Sequence, residues 1–480
     1  MESTVGTISN FEKMGIPGVG ISYVDMMGQI GDEAIIRKVP QCRVIPVPRP
    51  RPGLTAEQIA KDMVPNLITG LTSPLTDEER FKGEVVPSRP DRIAFEGTYD
   101  EVQDFFIGDL TSFVDVEPHA KWTDGLPIIP PTPQKVAEML TGTSHSHDEE
   151  FDVINFEADV GYRPMPLGLR YDIEKVAVNA VMAGCTPEMM PVCLAIAETH
   201  PGRYITTTAS ADFGVVTGPI ARELGMASKR NAMMTGNVAN AVLGRFMTLF
   251  RHNIAQFVPD VSMQHPQGNP LNRGLVFAEN YEGSPWTNLS EEYGFGRGEN
   301  TYTRFHSKGM WDFGVTMYGG HWDSAYSFVA KHGYRHGDVL NPAMTLMKAS
   351  GMPKYFIILI NPEDIARMAD KSGFKTKEDA RNWIYENCTL SYGEYKRNFA
   401  WPPSDWEGFP DGTGGHPGHQ AVNQLKDLGI TAEQVTDNTI VHLPAWGPDW
   451  LWFVHLGSGT PIPTLIRGNH CVTVSIDKWR

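Results

Sequence analysis

The sequence predicts a mixed α/β protein: a small N-terminal α/β module ahead of a larger α/β domain with long Gly/Pro-rich loops. Three observations predict it. Short β-branched and aromatic runs alternate with segments whose apolar residues recur at helical spacing. The 480 residues are 41% hydrophobic and 20% charged, enough for a sizeable core, and the length suggests roughly two or three units. The 47 Gly and 36 Pro require many turns and long ordered connections.

Residues 1–75 are expected to form the small module. Val19–Val24 and Cys42–Val47 are strand candidates, and Met26–Lys38 a helix weakened by Gly28 and Gly31. Pro48-Arg-Pro-Arg-Pro-Gly53 is a stiff connector. Thr55 then caps a helix with apolar positions Ile59, Met63, Leu67 and Ile68. Two strands and a helix are too little to be stable alone. Residues 76–120 form a polar bridge, with a strand candidate at Ile93–Gly97 and a helix at Tyr99–Ile107.

The main domain is expected over 121–480. Thr132 and Pro133 read as N-cap and first residue of a helix to Leu140. Further helices are predicted at 172–183, 187–199, 237–252, 363–371 and 376–386, and strands at 205–208, 355–360, 440–443 and 451–455. Between 260 and 345 the chain is rich in Gly, aromatics and His and has little periodicity, which reads as functional loops.

A net charge of −16 argues against nucleic acid or an anionic membrane as partner, because both need a basic face. No apolar run approaches the ~18 residues of a membrane span. Five cysteines (Cys42, Cys185, Cys193, Cys388 and Cys471) are too few and too scattered for a disulfide framework. The N-terminus lacks the basic and apolar regions of a secretory signal, so the expected location is the cytoplasm.

The most informative segment is Asp172-Ile-Glu-Lys-Val-Ala-Val-Asn-Ala-Val-Met-Ala-Gly184-Cys185-Thr186-Pro187-Glu188. Ile173, Val176, Ala177, Ala180 and Val181 form a core-facing stripe, Asp172 is the N-cap, and Gly184 suits the left-handed C′ position. Thr186 and Pro187 restart a helix at once. Cys185 then precedes a helix N-terminus, where free N–H groups and the dipole stabilise a thiolate. Glu188 stands in the same first turn, ready to handle a proton. Against this, free cysteines often simply pack, and Cys193 sits mid-helix among apolar neighbours. The eight-residue gap between Cys185 and Cys193 fits no common zinc spacing.

A second helix start, Thr235-Gly236-Asn237-Val-Ala-Asn240, suits an anion, with Arg245 to pair it. Ordinary capping explains the same residues. Thr217 lies in a turn that exposes backbone, and Asn179 lies on the helix leading to Cys185. Glu279, Glu282 and Trp286 are candidates to line a pocket. His321 with Asp323 is an acid–base or ligand candidate, while His332 and His336 lack the Glu of a zinc protease motif. There is no Gly-x-Ser-x-Gly elbow and no Cys-x-x-Cys pair.

Phe95-Glu-Gly-Thr-Tyr-Asp-Glu101, Trp122-Thr-Asp-Gly-Leu-Pro-Ile-Ile-Pro-Pro-Thr132, Glu174–Cys185 and Glu279-Asn-Tyr-Glu-Gly-Ser-Pro-Trp286 add up to a resemblance over most of residues 90–390. The chain resembles the UGSC-motif family, a bacterial group of thiol and selenol proteins associated with a short selenocysteine/cysteine–Gly–Ser–Cys motif. Residues 13–75 resemble the second half of the small module that carries the motif. The motif itself is missing here. The resemblance therefore implies either a module without its redox chemistry or a small partner chain that supplies the other half.

The expected function is a subunit of a thiol-dependent enzyme, redox or carbon–heteroatom bond chemistry, acting on a small polar or anionic molecule. Cys185, Glu188 and His321 are the catalytic candidates; Asn179, Thr217, Asn237, Asn240, Arg245, Glu282 and Trp286 are the binding candidates. The alternatives are a metal-dependent lyase or hydratase, with ligands from Cys185 and the histidines of 306–336, and a non-catalytic scaffold subunit of a hetero-oligomer. No cofactor or metal is assigned by the sequence.

Overall fold

A computed structural model describes residues 14–23, 41–48, 53–77, 92–108, 120–150, 171–200, 211–255, 268–307, 315–317, 355–398, 417–444, 447–458, 464–468 and 470–480, with scattered positions between them. The fold is mixed α/β. Of the predicted helix at 26–38 only Met27, Ile30 and Ala34 are described, all three helical; the predicted strand at 205–208, together with His321, Asp323, His332 and His336, lies outside the described residues.

In the N-terminal region, β1 (Val19–Tyr23) pairs in parallel with β2 (Arg43–Val47). Helix α1 (Ala56–Thr72) starts at a capping box in which Thr55 and Gln58 exchange side-chain-to-backbone bonds. Helix α2 (Tyr99–Ile107) starts with the same device, Thr98 and Glu101. The predicted strand at 93–97 does not form; that stretch runs irregularly into the Thr98 cap.

Then come α3 (Pro133–Leu140), α4 (Ile173–Ala183), α5 (Met190–Glu198), β3 (Ala211–Thr217), α6 (Val238–Asn253), β4 (Val276–Ala278), β5 (Thr301–Ser307) and β6 (Val315–Met317). The C-terminal part contains β7 (Tyr355–Ile360), α7 (Pro362–Lys371), α8 (Lys377–Asn387), β8 (Thr389–Ser391), α9 (Tyr392–Asn398), α10 (Pro417–Asp427), β9 (Ile440–His442), β10 (Leu451–His455), β11 (Thr464–Gly468) and β12 (His470–Ser475). No helix among the described residues is long and apolar enough to cross a membrane.

Two four-stranded sheets carry the architecture, in the orders β12-β5-β3-β4 and β10-β7-β11-β6. Because side chains alternate across a strand, each sheet presents two faces. Phe213, Val215, Phe277, Phe305 and Cys471 of the first sheet share a core with Ile357, Leu359, Val454 and Ile466 of the second. The opposite face of the first sheet (Val216, Val276, Ala278, Tyr302, Val472 and Val474) packs on α4, α5 and α6. The opposite face of the second (Phe356, Ile358, Ile360, Leu451 and Phe453) packs on α7, α8 and α10. The layers therefore run helix, sheet, sheet, helix, and both sheets are covered on both faces. That explains why β3 is buried along its length and β7 from Phe356 to Ile360.

Each sheet contains one parallel pair, β3 with β4 and β7 with β10, joined through helices. Close packing sets details of sequence. A Cβ on Gly214 of β3 would come within 2.4 Å of the Tyr302 ring, so this strand position holds only hydrogen. The expectation of irregular loops across 260–345 is corrected for β4, β5 and β6. β5 was hidden because Tyr302, Arg304 and His306 alternate with Thr301, Thr303 and Phe305, and all six are buried. Polar residues on both faces erase the alternation that marks a half-buried strand.

Candidate functional site

The carboxyl ends of all four parallel strands come together. β3 ends at Thr217, β4 leads into Glu279, β10 ends at His455 and β7 leads into Asn361. The backbone ties them: Glu279 N donates to Val216 O at 2.9 Å, Asn280 N to His455 O at 2.8 Å, and Leu456 N to Ile360 O at 2.8 Å. Asn280 Nδ2 donates to Gly457 O at 2.7 Å, and Gly457 N to Ser228 O at 2.9 Å. Such strand ends are the usual ligand position in α/β folds, because side chains and free loop backbone converge there.

A hydrogen-bonded chain of four side chains occupies this point. Thr217 Oγ1 donates to Glu279 Oε2 at 2.7 Å. Glu279 Oε1 faces His455 Nδ1 at 2.7 Å, and His455 Nε2 faces Ser284 Oγ at 3.1 Å. Leu289 N completes the carboxylate's partners at 3.1 Å. All four side chains belong to buried residues. Burial is the largest influence on both titrating groups. For His455 it prevails and holds the imidazole below its ordinary range. For Glu279 burial is outweighed by the bond and charge of His455, and the carboxyl titrates below its ordinary value. The pair therefore rests as carboxylate and neutral imidazole, with Nδ1–H donating to Glu279 and Nε2 free to accept.

Ser284 follows a tight turn. Ser284 N donates to Tyr281 O at 3.1 Å, and Gly283 takes the left-handed φ of +79° that this turn requires. Trp286 N donates to Ser284 Oγ at 3.2 Å, and Arg297 Nη2 donates to the Ser284 carbonyl oxygen at 3.3 Å.

A cavity of about 420 Å³ opens beside Glu279, lined among others by Gly218, Arg222, Ser228, Lys229, Arg230, Tyr281 and Glu282. Three cations and two carboxylates, Glu279 and Glu282, thus line one concavity in a protein of net charge −16. Arg222 pairs with Glu282 across the mouth, both largely exposed.

The sequence-predicted residues fall in several places. Thr217 is in the chain, and Glu282 lines the cavity. Asn237 caps α6, accepting from Asn240 N at 2.9 Å, and its Nδ2 donates to Gly225 O at 2.9 Å. Asn240 bonds the Ala227 N–H and the Ala227 and Ala232 carbonyls at 3.0–3.1 Å. Both asparagines thus hold the 225–232 loop that walls the cavity. Arg245 lies elsewhere: it forms a bidentate pair with Asp124 at 2.9 and 3.0 Å and donates to Pro127 O. Asn179 bonds Lys175 O and Asn253 Nδ2, joining α4 to α6. Trp286 is a core residue whose Nε1 donates to Phe374 O at 2.9 Å.

Cys185 is not among the cavity residues. Gly184 takes φ +93°, Gly184 N donates to Val181 O and Cys185 N to Ala180 O, so Cys185 stands just beyond the glycine that ends α4. Its Sγ contacts Val242 O at 3.6 Å, and the side chain is partly buried against the α4–α6 core. The predicted single helix at 187–199 divides into a 3₁₀ turn at Pro187–Met189 and α5. Thr186 gives no side-chain cap to that turn, and Glu188 is exposed, its carboxyl held below the ordinary range by the nearby Thr186 hydroxyl. Cys193 is fully buried, and burial first and the neighbouring Cys185 second push its thiol well above the ordinary value.

The chain matches no protein-family model, no curated protein and no solved structure. Among the described residues, no group of three or more His, Cys, Asp or Glu side chains is placed to hold a metal ion. A second buried polar cluster lies under the helical layer: Asp212 contacts His306 at 2.6 Å, Arg251 at 3.2 Å and His200 at 3.8 Å. It joins β3, β5, α6 and the end of α5.

Sequence reasoning missed His455, Ser284 and the three cations. A signal for His455 was present: Leu451-Trp-Phe-Val-His455 is an apolar strand that closes on an ionisable residue. Ser284 and Lys229 carry no such pattern.

Proposed function

We propose that the chain is an enzyme, or the main subunit of one, that moves protons on a small anionic molecule bound at the strand ends. One observation carries this reading: a buried carboxylate–imidazole pair, with the imidazole in its basic form, adjoins a cavity presenting Arg222, Lys229 and Arg230. The cations attract and orient the anion, and His455 Nε2 is the accepting base. Isothermal titration calorimetry with inorganic phosphate and with succinate tests it. The Lys229→Gln/Arg230→Gln double variant is expected to bind at least one of them tenfold or more weakly than the unmodified chain. Absence of binding, or equal binding by the variant, removes the reading.

Thiol-dependent chemistry at Cys185 is the second reading, favoured by the influence of the Cys185 thiol on the buried Cys193. Two neighbouring thiols suit a redox couple. Loss of activity in Cys185→Ala supports it; full activity sinks it. The five free cysteines suit a reducing, cytoplasmic location.

For the N-terminal region we propose a separate small α/β module at 1–75 completed by a small partner chain. Val64, Ile68 and Leu71 lie on one face of α1 at helical spacing and are 45–57% exposed. Purification from the native source without a small companion would count against it.

A further inference from the structure

Resting on the strand-end reading above, we propose that Ser284 is a covalent nucleophile and that the site hydrolyses a small anionic acyl compound, an ester, thioester or amide. Three positions match the requirements of an acyl-transfer site. The hydroxyl lies 3.1 Å from His455 Nε2, and a carboxylate 2.7 Å from Nδ1 fixes the imidazole tautomer. That is the nucleophile–base–orienter arrangement that activates an otherwise weak hydroxyl. The serine also stands between a strand, β4, and a helical turn at Leu289–Glu292, with Gly283 supplying the sharp turn before it. The third position is that of the cations: Arg222, Lys229 and Arg230 line the neighbouring cavity, which reaches Glu279, Tyr281 and Glu282 but not Ser284 or His455 themselves, and Arg297 stands by the serine.

The chemistry closes on groups of this chain and water. Ser284 Oγ attacks the acyl carbon as its proton passes to His455 Nε2. The carbon–leaving-group bond then breaks, and the departing alcohol, thiol or amine takes that proton. Water attacks the acyl-serine, yields a proton to Nε2, and the carbon–Oγ bond breaks with the proton returning to Oγ. The net reaction adds one water across the acyl bond. Glu279 and Thr217 act through the imidazole as positioning residues.

The test is covalent labelling of the folded chain with methanesulfonyl fluoride, whose small size suits a serine exposed to only 8%. Peptide mass spectrometry is expected to place a single sulfonyl adduct on Ser284. Labelling should vanish in Ser284→Ala and slow at least tenfold in His455→Asn. As a check that does not depend on the histidine variant folding, the new thiol of Ser284→Cys should be alkylated by iodoacetamide faster than Cys185 of the same molecule. No adduct on Ser284, together with an unreactive thiol in Ser284→Cys, overturns the proposal. Calorimetry separates the two ideas. Anion binding without serine labelling defeats the nucleophile and leaves the anion site. A Ser284 adduct, with anion binding indifferent to Lys229 and Arg230, defeats the anion site and leaves the nucleophile.

Discussion

Glu279 and His455 meet at 2.7 Å although 176 residues separate them in the chain. They come from the ends of β4 and β10, the edge strands of two different sheets. The contact therefore exists only once both sheets have packed, and it joins them. Both side chains are fully enclosed. Removing one partner leaves the other buried without its bond, which costs roughly 3–5 kcal/mol. Glu279→Ala and His455→Ala are each expected to lose stability of that order in urea unfolding. Arg222→Ala breaks an exposed pair and should cost less than about 1 kcal/mol. Equal, small losses in all three would show that the enclosed pair does not join the sheets.

The thiols should separate cleanly by burial. Burial pushes Cys388 and Cys471 up to about 12 and Cys193 well above its ordinary value. Nucleophilic attack needs the thiolate, so these three should resist iodoacetamide until the chain unfolds. Cys185 is only partly buried and should label in the native protein. Peptide mass spectrometry before and after denaturation reads this directly; native labelling of Cys193 at the Cys185 rate would refute the packing of α5.

Asp364 makes stability depend on pH. It is buried at the start of α7, and desolvation raises it from 3.8 to about 6 despite the opposing charge of Arg367. A carboxyl whose folded value is raised holds its proton more tightly in the native state. Its contribution is most favourable below about pH 4 and is lost as pH rises through 6, by up to about 3 kcal/mol. Asp364→Asn cannot ionise and retains an acceptor for Asn361 Nδ2, so it should gain on the wild type between pH 4 and pH 7. A stability difference that stays constant over this range would refute the ionisation of Asp364 in the folded state.

Much of the local structure was legible because its causes are local. Thr55, Thr98, Thr132, Asp172 and Asn237 cap the helices predicted to follow them, since a side-chain oxygen meets the next turn's N–H wherever the fold places the helix. β7 and β10 were legible as unbroken apolar runs. β3 and β5 were not, because Asp212, Arg304 and His306 find buried partners that no window of sequence contains.

The same division runs through the site. Asn237 and Asn240 mark a helix start in any sequence reading, yet only packing shows that their side chains hold the 225–232 loop rather than a ligand. Gly184 and Cys185 mark a helix end, yet only the neighbouring α6 shows where the thiol is directed. The sequence alone determined the helix starts and stops, the mixed α/β class and the acidic balance, all set by contacts a few residues long or by composition. The tertiary structure decided that Thr217, Glu279, Ser284 and His455 form one chain of hydrogen bonds. Those contacts depend on the closure of two sheets face to face, and hydrophobic burial, which drives that closure, is non-directional and spread over the whole length of the protein.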